Sequence, residues 1–218
     1  VGRQKLARFA VNAQRDNVVE PGKEIFAKIK GNWRPYFQNE NPIVLEVGCG
    51  RGEYTTGLAA VYPNKNFVGI DIKGARIWKG SSVAVENNLT NAAFLRIKIQ
   101  NIGDFFDKGE VNEIWITFPD PRPKDKDERR RLTNPRFLNI YKEMLVPGGS
   151  VHFKTDNVDL FDYTLEVLQN EFKVKDLVYT KDLYNSELQA EHYGIQTTYE
   201  RKFLPVVKTI NYLRFRFE

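Results

Sequence analysis

The chain has 218 residues, 41% hydrophobic and 28% charged, with 33 Lys and Arg against 28 Asp and Glu for a formal net charge of +5. That length suits one domain spanning 1–218, no apolar run approaches the roughly 18 residues needed to cross a bilayer, and the basic start lacks the apolar core of an export signal. A single cysteine, Cys49, excludes an internal disulfide, and with two histidines, His152 and His192, it disfavours a metal centre; a reducing, cytoplasmic setting for a monomer or homodimer is expected.

Residues 1–17 form a basic arm, with Arg3, Lys5, Arg8 and Arg15 and no acid in the first fifteen positions. The segment 18–40 carries a loose helical spacing in Ile25, Phe26, Ile29, Trp33 and Phe37, interrupted by Gly31. Short β-rich runs then alternate with amphipathic stretches. Strands are expected at 43–47, 66–70, 93–99, 113–118 and 150–155, the last behind a Pro147-Gly148-Gly149 turn. Helices are expected at 54–61, 75–88, 135–145 and 160–170, with Pro135 just inside the start of its helix. Residues 174–180 and 210–217 read as closing strands, the last alternating as an antiparallel edge does. This order predicts an α/β fold: a mostly parallel, Rossmann-like seven-stranded sheet, helices on both faces, an antiparallel last strand, and ligands beyond the carboxyl ends of the strands.

Leu45-Glu46-Val47-Gly48-Cys49-Gly50-Arg51-Gly52 joins the first of these strands to its helix. Gly48, Gly50 and Gly52 let the backbone turn sharply and approach a ligand closely. The spacing is G-x-G-x-G, not the G-x-G-x-x-G of dinucleotide enzymes. Asp71 ends the second strand 19 residues after Gly52, placed to accept hydrogen bonds from ribose hydroxyls. Glu46 bears on the charge of the ligand. A pyrophosphate within ~5 Å of a carboxylate suffers roughly 3 kcal/mol of repulsion at an effective dielectric near 20, whereas S-adenosylmethionine carries a net charge of +1. The acid favours the methyl donor. Cys49 reads as a small turn residue.

After the fourth strand comes Pro119-Asp120-Pro121-Arg122-Pro123-Lys124. Three prolines in five residues stiffen the loop and forbid a helix, holding Asp120 at a strand end where a methyl acceptor would sit. Between Phe118 and Phe137 seven basic residues stand against four acids. Lys124, Arg129, Arg130 and Arg131 suit phosphate contacts, which set register while a pocket reads the base. A ring nitrogen with a free lone pair needs no general base before it accepts a methyl group, and its methylation leaves the ring cationic. Such chemistry calls for alignment and a nearby negative charge, which Asp120 would supply.

These pieces together resemble the bacterial tRNA (guanine-N7)-methyltransferase family. The matching stretches are the glycine loop from Leu45, Gly69-Ile70-Asp71, Phe118-Pro119-Asp120-Pro121, Pro123-Lys124, Arg129 to Leu132, His152 to Asn157, and Thr197 to Phe203. The resemblance implies a class I methyltransferase fold, S-adenosylmethionine as cofactor, and methylation of guanine 46 in the variable region of tRNA. It also implies that Glu46, Asp71 and Asp120 contact the cofactor or catalytic centre, with Lys124, Asp156, Thr197, Thr198, Tyr199 and Glu200 on the substrate. Three departures stand out. Arg122 replaces a usual Trp, and the basic run lacks its usual histidine. Lys98 occupies the place of an Asp near the third strand end, leaving Gln100 and Asn101 as amides for adenine. His152 reads as structural, and Asp156 could instead cap the following helix.

The main competing reading is a methyltransferase of the same fold acting on a small molecule or a protein, which would show an apolar lid. A non-catalytic RNA-binding module would have no need of three acids, and a dinucleotide oxidoreductase is disfavoured by Glu46 and the glycine spacing.

Overall fold

The computed structural model describes residues 2–207 and 209–218; Val1, Lys208 and the side chains of Arg3 and Phe203, within segments named above, lie outside the described set. Helix α1 (Gly2–Gln14) leads into strand β1 (Val18–Val19), a 3-10 turn (Glu24–Ala27) and α2 (Trp33–Phe37). The alternating units follow: β2 (Ile43–Val47), α3 (Glu53–Val61), β3 (Asn66–Asp71), α4 (Gly74–Glu86), β4 (Ala92–Arg96), β5 (Val111–Thr117), α5 (Pro135–Met144), β6 (Leu145–Thr155) and α6 (Val158–Glu171). Strand β7 (Val174–Thr180), helix α7 (Thr198–Val207) and β8 (Asn211–Phe217) complete the fold.

Eight strands form one sheet in the order β1-β4-β3-β2-β5-β6-β8-β7, parallel throughout except for β8, which runs antiparallel to both its neighbours. The expected α/β architecture is thus observed, with one strand more than the seven anticipated. The extra strand comes from residues 18–40, whose apolar spacing suggested helix. Pro21 and Gly22 (φ 99°) break the run. Val18 and Val19 instead extend the sheet edge opposite Phe94 and Leu95.

Two further differences concern the ends of elements. The basic arm is a helix laid on α4: the Asn12 side-chain amide donates to the Gly74 carbonyl (2.9 Å), and Arg15 donates to the Ser81 and Ser82 hydroxyls (3.0 and 2.9 Å). Pro147-Gly148-Gly149 is not a turn before a strand but an irregularity inside β6, whose pairing with β5 shifts register between Val111 and Glu113.

Alternation along the strands sorts the core into two layers. Ile43, Leu45 and Val47 join Phe137, Leu138 and Phe161 of α5 and α6. Val44 joins Phe67, Phe94 and Trp115 under Tyr54 and Leu58 of α3 and Ile77 of α4. By the same period Glu46, Thr117 and Lys154 fall on the α3 side, and there the polar chemistry begins.

Candidate active site

The strand order reverses between β2 and β5: one half of the sheet grows from β2 through β3 to β4, the other from β5 outward. Glu46 of β2 and Thr117 of β5 meet across this switch point, the Thr117 hydroxyl donating to the Glu46 carboxylate at 3.0 Å. The other Glu46 oxygen accepts from the Thr55 backbone N–H (2.8 Å) and hydroxyl (2.6 Å) in the first turn of α3. Although these bonds favour the charged form, burial outweighs them and pushes the Glu46 carboxyl up to about 7.

The loop after β2 closes against the end of β3. The Gly48 and Cys49 N–H groups both donate to the Ile70 carbonyl at 2.9 Å, and Gly50 N–H donates to the Asp71 carboxylate at 3.0 Å. The second Asp71 oxygen accepts from Lys73 N–H at 2.8 Å. Gly52 is obligatory here: it starts α3 at φ 68°, and a Cβ would lie 2.4 Å from the Phe94 ring. Cys49 is buried, and burial raises its thiol pKa, consistent with a packing role.

Two adjoining cavities open at this switch point. One, of about 440 Å³, is lined by Asp71, Lys98, Gln100, Asp120 and Arg130 among others. The second, of about 530 Å³, is lined by Glu46, Gly50, Thr117, Thr198, Tyr199 and Lys202 among others. Gly48, Arg76 and Phe118 line both. Across the second cavity the Tyr199 hydroxyl donates to the Asp156 carboxylate at 2.7 Å, and the Tyr199 ring lies 5.4 Å from that of Phe118. Asp120 is exposed and paired with Arg122, whose Nε stands 3.2 Å from the carboxylate.

Residues 40–212 match the family described as "Putative methyltransferase". The chain is 56% identical to the tRNA (guanine-N(7)-)-methyltransferase of Cytophaga hutchinsonii, over all of this chain and 99% of that one. It is 45% identical to the protein of the same name from Christiangramia forsetii, over 98% of each. This chain belongs to the tRNA (guanine-N7)-methyltransferase family. The fold recurs in solved structures of much lower identity. The 16S rRNA methyltransferase KamB superposes with a TM-score of 0.59 over 88% of this chain and 92% of its own at 18% identity. An antibiotic related methyltransferase gives 0.60 over 82% and 88% at 17%.

Within this family member the residues singled out in the sequence separate into groups. Glu46, Gly48, Gly50, Asp71, Lys98, Gln100, Asp120, Arg130, Thr197, Thr198 and Tyr199 line the two cavities, and Asp156 reaches them through Tyr199. Gly52 and Asn101 line neither; Asn101 donates its N–H to the Lys98 carbonyl in a 3-10 turn. Lys124 and Arg129 are exposed on the loop below Asp120. Arg131 braces that loop, its Nε donating to the Arg122 carbonyl (3.3 Å) and its guanidinium lying 4.3 Å from the centre of the Tyr163 ring. The helix after Asp156 is capped by Asn157, which accepts from Leu160 N–H at 2.7 Å, so Asp156 is not the cap.

Glu200 requires a correction. Expected on the substrate, its side chain is fully enclosed. One oxygen meets Lys154 Nζ at 2.5 Å and accepts from the Tyr184 hydroxyl (2.6 Å). The other accepts from Thr197 N–H (2.8 Å), while the Thr197 hydroxyl accepts from Glu200 N–H (3.1 Å). That reciprocal pair is a capping box opening α7, and it turns Glu200 away from the cleft. Arg76 and Thr117, outside the sequence candidates, also line the cleft. Thr117 is legible from strand alternation; Arg76 is not, since nothing local reveals which turn of α4 borders the cleft.

Proposed function

We propose that the chain transfers a methyl group from S-adenosylmethionine to N7 of a guanine in tRNA, guanine 46 of the variable region. The observation that carries this reading is the meeting of two cavities at Gly48, Arg76 and Phe118, with Asp71 and Asp120 on one side and Tyr199 on the other. The names carried by the relatives supply the substrate.

The residues present suit this cofactor. Gly50, at φ 56°, faces open space where a Cβ would project, so the loop leaves a cradle for a ligand against its backbone. Each Asp71 oxygen accepts one backbone N–H and keeps a lone pair for a ribose hydroxyl. Lys98 and Gln100 border the same cavity, and an amide such as that of Gln100 suits hydrogen bonds to adenine. Glu46 presents a carboxylate that a cationic ligand would hold ionised, while a pyrophosphate would meet it as a repulsive charge. When bound, the cofactor supplies an electrophilic methyl group on a sulfonium.

The protein's own part is alignment and charge. Phe118 and Tyr199 offer aromatic faces on which a purine can stack. The guanine N7 lone pair attacks directly, so no residue needs to remove a proton. Asp120 accepts hydrogen bonds from the guanine edge and stabilises the positive charge left on the methylated base. Its pair with Arg122, partly exposed on both sides, is worth at most about 1 kcal/mol and can open to admit the base. Lys124 and Arg129 hold neighbouring phosphates.

Methyl transfer from labelled S-adenosylmethionine to an unmodified tRNA transcript, with product nucleosides separated, tests the reading. The expected product is 7-methylguanosine, lost when adenine replaces guanine 46. Cofactor binding without labelling of tRNA would hand the site to a small-molecule or protein acceptor.

A further inference from the structure

Beside the methyl-transfer cleft lies a third cavity that this chemistry does not use. It is a groove of about 560 Å³ between α3, α4 and the segment before α7, bordered by Arg51, Thr56, Lys79, Asn87, Gln196 and Arg201. Ile195 seats that segment on α3 at Gly57. Arg51, Glu53 and Thr198 line both this groove and the cleft, so the two are continuous.

The groove is lined by three cations and a single acid, Glu53. That acid is engaged: it accepts from Thr198 N–H (2.9 Å) and hydroxyl, and Arg201 stands 3.6 Å from it. The side chains of Arg51 and Lys79 make no hydrogen bond or ion pair among the described residues. Lys73, just before α4, and Arg76 and Lys79 on it recur every third residue and are all exposed, giving one basic face that runs from the cleft, where Arg76 sits, to the groove. An open channel that carries three cations beside apolar Ala60, Val83, Leu89 and Ile195 suits the phosphates and sugars of a chain of single negative charges.

We propose that this groove binds the sugar–phosphate backbone of the tRNA strand carrying the target guanine, with Lys79 on a phosphate within the groove and Arg51 on one at the junction with the cleft, while Arg201 holds Glu53 and the Gln196 carbonyl. The assignment rests on the tRNA reading above and adds a second anchoring region to it, on the opposite side of the cleft from the Lys124–Arg131 loop. Holding the strand on both sides fixes the flipped or exposed guanine between Phe118 and Tyr199.

The test uses the full chain and unmodified tRNA transcript, comparing wild type with Lys79→Ala and Lys79→Glu. Steady-state methylation and equilibrium binding are measured from low to high salt. Expected is a several-fold rise in KM for tRNA, larger for Lys79→Glu, and a log-log salt slope shallower by about 1 in Lys79→Ala. Turnover at saturating tRNA and affinity for S-adenosylmethionine should stay at wild-type values, which separates a backbone contact from damage to the fold or the cofactor site. Unchanged KM and salt slope in both variants, with wild type active, would overturn the groove assignment alone. A wild-type protein that neither binds nor methylates tRNA would overturn the tRNA reading and the groove with it.

Discussion

Lys154 of β6 and Glu200 of α7 form an ion pair, Nζ to Oε1 2.5 Å, with neither side chain exposed to solvent. The Tyr54 hydroxyl accepts from the same ammonium at 2.7 Å, and Tyr184 closes over both partners. Burial lowers the Lys154 pKa while Glu200 opposes the shift, so the charged pair is sustained by its geometry. Through the capping box it fixes the start of α7, which carries Thr198 and Tyr199 to the cleft.

Removing one partner of such a pair strands a charge in the interior and costs about 3–5 kcal/mol. Lys154→Met and Glu200→Gln should each lower the denaturant midpoint markedly and raise KM for tRNA. Lys154→Met combined with Glu200→Gln should recover much of the stability, because the double variant leaves no orphan charge. A double-mutant cycle of urea unfolding reads this directly. Additive losses would show that the pair is not coupled.

Cofactor affinity should depend on Glu46. Its folded pKa is raised by burial to about 7, so near neutrality the carboxyl is partly protonated. A ligand with net positive charge favours the ionised form, and affinity should therefore rise with pH from 6 to 8, approaching tenfold per pH unit at the low end. Titration calorimetry in buffers of differing ionisation enthalpy should record about one proton released on binding at pH 6. Glu46→Gln should bind more weakly and flatten the pH dependence; a wild-type affinity that is flat across this range would refute the link.

Two buried groups should oppose each other in the pH dependence of stability. His152 stacks on Trp115 with ring centroids 4.1 Å apart and bonds the Tyr212 hydroxyl at 2.8 Å. Burial lowers its pKa to about 4, so its contribution is fully present above the unfolded value near 6.5 and lost as pH falls towards 4. Glu46 has the opposite sign: its raised pKa contributes stability below about 4.5 that is lost as pH rises through 7. Each effect is on the order of 3 kcal/mol, so without cofactor they nearly cancel between pH 4.5 and 6.5. His152→Phe should gain stability on acidification over that window and Glu46→Gln should lose it, measured as denaturant midpoints. Parallel profiles in the two variants would contradict the assignment.

Asp120→Ala should retain cofactor binding and lose about 100- to 1,000-fold in single-turnover methyl transfer, the size expected for one preorganised electrostatic contact to developing charge. Arg122→Ala should stay folded and within about fivefold of wild-type turnover, since a partly exposed ion pair is worth little. Normal turnover in Asp120→Ala would refute its role.

Much of this organisation is legible locally. The period of two in Ile43 to Val47 puts Glu46 on the face opposite Leu45, and the glycine spacing sets a turn that only small residues permit. Asn157, one position past Asp156, is a cap by residue type. The enclosure of Glu200 is not legible locally, because its carboxylate resembles a surface group by sequence. Its partner, Lys154, lies 46 residues away and reads equally as a strand-end charge. Val18 and Val19 looked helical in company with their neighbours, until pairing with β4 outweighed that weak spacing.

What the sequence determined by itself were the alternation of strands and helices, the glycine turn, and the acids at three strand ends. Each of these depends on residues adjacent in the chain, through steric limits on the backbone and the period of a single element. The tertiary structure alone decided that Lys154 and Glu200 are partners, that Arg76 borders both cavities, and that Lys79 and Arg201 share one groove. Those relationships depend on how helices are rotated and seated on the sheet. That is settled by packing over the whole core, as in Phe94 against Gly52 and Ile195 against Gly57, and no local window of residues contains it.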